Sequence, residues 1–70
     1  MEYTREQLLE ARRQIDSTLH KLRETITTFE AKEEPQRYKS QITLAKRRME
    51  AFTIANELIG RELAGERQET

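Results

Sequence analysis

A single proline, Pro35, stands at the midpoint of the 70 residues, and on either side of it apolar residues recur at seven-residue intervals. Proline lacks an amide donor and keeps the residue before it, Glu34, out of the α region, so one continuous helix cannot run through this point. The same ring suits the first position of a new helix. Before Pro35, one row is formed by Leu8, Ile15, Leu22 and Phe29 and an interleaved one by Leu19 and Ile26, with Arg12 and Glu33 in its other slots. After it come Tyr38, Ala45, Phe52 and Ile59 in one row and Ile42, Met49, Asn56 and Leu63 in the other. Alternating steps of three and four residues place such rows on one stripe of a helix. The pattern predicts an all-α fold, a two-helix antiparallel, coiled-coil-like hairpin forming one domain.

The helix ends carry their own signals. Thr4 is an N-cap with Gln7 three residues on to close a capping box, and Tyr3 and Leu8 are spaced as a hydrophobic staple. The first helix is expected over residues 5–32; Thr25, Thr27 and Thr28 lower its propensity, but Ile26 and Phe29 stay in phase. A turn is expected at 33–36, a second helix over 36–64 with Gly65 as its stop, and a frayed polar tail at 65–70. Folding at Glu34 to Gln36 sets Phe29 against Ile42, Leu22 against Met49, Ile15 against Asn56 and Leu8 against Leu63. Each helix would be roughly 40 Å long at about 1.5 Å per residue.

Two helices can bury only one stripe of each other, and a chain this short has little core to spare. The second helix nevertheless carries another apolar row, Leu44, Ala51 and Leu58, flanked by Ile54 and Ala55 and lying about 80 to 120 degrees round from the Phe52 row. The first helix offers only Leu9 and Ala11 outside its seam. A helix apolar on two sides belongs in an interior. The sequence therefore predicts a homodimer with the second helices at the centre of a four-helix bundle, its contact made by Leu44, Ala51, Ile54 and Leu58, the alternatives being a different protein partner on that face or a higher oligomer.

Formal charge is zero, from 13 basic and 13 acidic side chains. Its distribution is uneven, because residues 35–49 hold five cations (Arg37, Lys39, Lys46, Arg47, Arg48) and no carboxylate, whereas 50–70 hold two cations and five carboxylates. One reading pairs the block with Glu24, Glu30, Glu33 and Glu34 across the hairpin, while Arg5, Arg12 and Arg13 face Glu57, Glu62 and Glu66 at the other end. The other reading makes the five cations a contact for a nucleic acid or an acidic partner. The polar seam residues Arg12 and Asn56 are expected to fix register, with Arg12 snorkelling near the bundle end.

Several classes are disfavoured. The chain has no cysteine, so disulfides and thiolate metal sites are absent and a reducing, cytoplasmic setting fits. Its one histidine, His20, has Asp16 and Glu24 four residues to either side, the spacing of a solvated charge pair and not of a metal site. No apolar run approaches the roughly 18 residues of a membrane span, and Met1 to Arg5 lead straight into charged helical sequence instead of a signal peptide. A chain this short cannot wall off a pocket of roughly 300 Å³. No enzyme activity, cofactor, metal or small-molecule ligand is expected.

Arg12-Arg13-Gln14-Ile15-Asp16, followed by Leu19 and Leu22, resembles the first helix of the all-helical chorismate mutases. The resemblance covers about a dozen residues and would make Arg13 and Lys46 substrate-binding cations of an enzyme fragment. That family's second Ile-Asp is replaced here by Thr18-Leu19, and no third helix follows. The favoured expectation is a protein-protein interaction or scaffolding module, with a nucleic-acid- or ribosome-associated accessory protein as the alternative.

Overall fold

The computed structural model of the chain describes residues 2–68, which form two long helices joined by a short turn. Thr4 is extended, and its hydroxyl accepts the Gln7 amide at 3.1 Å while Gln7 Oε1 accepts the Thr4 amide at 2.9 Å. This reciprocal capping box starts α1, Arg5–Glu30. Within α1 the hydroxyl of Thr25 donates to the Lys21 carbonyl at 2.9 Å, which satisfies the group inside a threonine-rich stretch. The helix ends two residues before the expected Lys32, where the Ala31 and Lys32 amides turn back onto Thr27 and Phe29 carbonyls. Pro35 then opens a 3-10 turn, Pro35–Tyr38, which leads into α2, Lys39–Gln68.

Two boundaries differ from expectation at the second helix. The segment 36–38 is a 3-10 turn, not the first turn of an α-helix. At the other end α2 runs through Gly65 to Gln68, because neither Gly60 nor Gly65 takes the positive φ of a glycine cap. The tail expected to fray from residue 65 is thus helical to Gln68, and 69–70 lie outside the described residues. A methyl group at Gly60 would meet no atom within 4 Å. Gly60→Ala should therefore raise the free energy of unfolding by about 0.4–1 kcal/mol, mainly by restricting the unfolded chain. Urea denaturation measures this, and an unchanged or lower midpoint would contradict a regular helix through residue 60.

The two helices pack antiparallel into a rod. Its extents are 54 × 18 × 15 Å and its radius of gyration is 15.9 Å, against about 11 Å for a compact domain of this length. Phe29 and Tyr38 stack beside the turn with ring centroids 4.9 Å apart. Only Leu8, Leu19, Ala45 and Leu63 are buried among the described residues. Ile15, Leu22, Ile26, Ile42, Met49, Phe52 and Ile59 are half-buried along the same seam.

The seam departs from the strict seven-residue pattern near the start of α1. Arg12 is exposed, and Ala11, expected on the outer face, is half-buried in its place. A straight helix drifts about 20° per heptad, so the row holding Ile26 and Leu19 has rotated off the contact by Arg12 while Ala11 has rotated in. The same slip half-buries Ala55 beside Asn56 on α2.

Candidate interaction surface

The second apolar row of α2 is laid out in space as a single face turned away from α1. Leu44 is 49% exposed, Ile54 51% and Leu58 57%, and Ala51 between them is also exposed. The seam fixes this outcome, because once Ala45, Phe52 and Ile59 point at α1 the residues about 80 to 120 degrees round the helix must point away. On α1 only Leu9, at 40%, is comparably exposed, together with Tyr3 just ahead of the helix at 57%.

Leu58 borders a groove at the end of the rod where α1 begins. Tyr3, Leu8, Leu58, Ile59 and Glu62 line a depression of about 290 Å³, adjoined by one of about 320 Å³ lined by Tyr3, Gln7, Leu8, Ala11 and Ile59. Both are open troughs between the helices and not enclosed cavities. Sequence periodicity places Leu8, Leu58 and Ile59 but not the depressions themselves; in the second, small Ala11 lies among the lining residues with Ile59.

The five cations of the basic block are distributed, not gathered. Lys46 reaches across the hairpin to Glu30 at 3.7 Å, and Arg37 pairs locally with Glu34 at 3.4 Å. Lys39, Arg47 and Arg48 make no ion pair within 4 Å among the described residues. Arg47 and Arg48 sit on either side of the Leu44 and Ala51 row, at helical-wheel angles about 100 degrees apart. Of the expected pairing at the opposite end, Glu66 lies outside the described side chains; among the described residues Arg13 bonds its own-helix neighbour Glu10 at 2.7 Å, and Arg5 and Arg12 form no ion pair with Glu57 or Glu62. His20 meets Glu24 at 2.5 Å, on the exposed side of α1.

Asn56 is the polar residue of the α2 seam, and it makes the one side-chain hydrogen bond between the helices among the described residues. Its amide donates to Asp16 Oδ1 at 2.7 Å, while its own Oδ1 is buried without a partner. The contact fixes one register of α1 against α2, at the cost of an unsatisfied acceptor.

Arg13 and Lys46 do not converge. Lys46 lies beside Glu30, seventeen residues along α1 from Arg13, which is about 25 Å of helix. Among the described residues no group of three or more His, Cys, Asp or Glu side chains is placed to hold a metal ion, and no helix is long and apolar enough to cross a membrane. No family model, curated protein or solved structure matches the chain.

Proposed function

We propose that the protein is a non-enzymatic, cytoplasmic interaction or scaffolding module that works as a homodimer, the outer face of α2 being its dimer contact in a four-helix bundle. The observation that carries this is the exposed row Leu44, Ala51, Ile54 and Leu58, set on a helix whose other side is already packed. Surface area supports it. The hairpin leaves 6021 Å² accessible, against roughly 4,600 Å² for a compact monomer of its mass. The excess of about 1,400 Å² exceeds the roughly 800 Å² that each partner contributes to a standard interface. A contiguous apolar patch bordered by charged side chains is the usual mark of such an interface. With α2 buried at the centre, α1 and its exposed polar side chains form the surface offered to a further protein partner. Sedimentation equilibrium at tens of micromolar should give twice the chain mass; a monomer there would sink the reading.

A second reading has one observation behind it, the absence of ion-pair partners for Lys39, Arg47 and Arg48 among the described residues. As a nucleic-acid or ribosome contact these cations would release counterions, and the slope of log binding constant against log salt would fall by about one unit for each contact removed. Arg47→Gln with Arg48→Gln separates the two. In the dimer reading it weakens self-association by about 0.2–1 kcal/mol per exposed pair, more at low salt, and leaves no heparin binding to lose. Heparin or bulk RNA binding by the unaltered protein at physiological salt, lost in the variant with unchanged melting, would promote the second reading instead.

A further inference from the structure

We infer that the two copies pair antiparallel along α2, about a two-fold axis passing Ala51. The arrangement rests on the homodimer reading and adds its direction, its register and the groove that receives the partner. Leu44 and Leu58 stand seven residues to either side of Ala51. A two-fold axis at Ala51 therefore carries each Leu44 to the partner's Leu58 and lets the two small Ala51 side chains meet where the helices come closest. A parallel dimer would stack each row residue on itself and would also bring the two basic blocks together.

Charge chooses between these directions. Residues 35–49 carry five cations and no carboxylate, and 50–70 carry five carboxylates and two cations. Antiparallel pairing lays each basic segment along the partner's acidic one, whereas parallel pairing sets five cations beside five. Arg47 lies on the same flank of the helix as Ile54 and Glu57, and in the antiparallel register it arrives beside the partner's copies of both. Its aliphatic stem covers Ile54 and its guanidinium reaches Glu57. This supplies a carboxylate to a cation that has none within its own hairpin among the described residues.

The groove supplies the third observation. Antiparallel pairing delivers the partner's Leu44 to Leu58, at the edge of the depression lined by Tyr3, Leu8, Leu58, Ile59 and Glu62. That leucine has an apolar slot to enter, and its entry covers the exposed ring of Tyr3. The two-fold symmetry makes two such slots per dimer.

The chain has no cysteine, so single introduced thiols report direction cleanly. Leu44→Cys and Leu58→Cys variants, mixed and treated with a short bis-maleimide, should give a cross-linked mixed dimer. Leu44→Cys alone should stay uncross-linked, because its two thiols lie fourteen residues apart along the bundle, about 21 Å. Efficient cross-linking of Leu44→Cys to itself in a protein that still sediments as a dimer would overturn the antiparallel arrangement and leave the homodimer standing. A dimer in which neither sample cross-links would place the contact on another face and overturn it too. A monomeric parent would remove the homodimer reading itself. Should the cysteines weaken the contact, charge reversal serves instead: Arg47→Glu and Glu57→Arg should each loosen the dimer, and the double variant should recover most of the loss. No recovery would count against the register.

Discussion

Replacing Leu44 and Leu58 together by glutamate should convert the protein from dimer to monomer and lower its melting temperature. Full burial of a leucine contributes about 1.5–3 kcal/mol, and these two are 49% and 57% exposed in the hairpin. Covering them thus adds about 1 kcal/mol each, or about 4 kcal/mol over the four leucines of a dimer. Loss of that amount raises the dissociation constant about a thousandfold before the cost of enclosing four carboxylates is added. Within one hairpin the same substitutions are mild, since both positions face solvent and glutamate is a good helix former. The two states differ in how melting responds to dilution. The parent's midpoint should fall as the protein is diluted, because folding and association are linked, and the variant's should not move. Equal melting of parent and variant at every concentration would mean that the α2 row covers nothing.

The parts of this fold legible in the sequence are those in which a few neighbouring residues determine the geometry. Thr4 and Gln7 need only their three-residue spacing to make the capping box, and both of its hydrogen bonds form. The outer row of α2 was likewise legible, because its direction follows from the seam by rotation alone. Pairings across the hairpin were less so, since they depend on how many residues the turn consumes. Pro35 opens a 3-10 turn, whose rise per residue is longer than that of an α-helix, and Tyr38 at its end stacks on Phe29. Ion pairs were least legible. Arg13 lies on the side of α1 opposite the seam, where Glu10 one turn away on its own helix meets it at 2.7 Å. A nearby partner costs less side-chain entropy than one across the hairpin, which favours the local pairs of Arg13 with Glu10 and of Arg37 with Glu34. Lys46 lacks an acidic residue three or four positions away on the N-terminal side and has only Glu50 on the other, and it crosses to Glu30.

The seam asparagine gives the other large expected effect. Asn56→Asp should destabilise the hairpin by about 2–3 kcal/mol, since it removes the amide that donates to Asp16 and sets a second carboxylate in its place. Asn56→Leu should act in the opposite direction. It removes the buried, unpartnered Oδ1 and adds apolar contact to the seam, while Asp16 is exposed and can take its lost hydrogen bond from water. The gain carries a penalty in uniqueness, because the bond from Asn56 to Asp16 is what distinguishes the native register from one slipped by a heptad. The leucine variant should therefore melt at a higher temperature with broader amide resonances in its NMR spectrum, and the aspartate variant at a lower temperature with sharp ones. If aspartate were tolerated without loss, the interhelical contact would be incidental to the fold and Asn56 merely a half-buried residue at the edge of the seam. If leucine were destabilising, the asparagine would be contributing stability directly through its bond to Asp16.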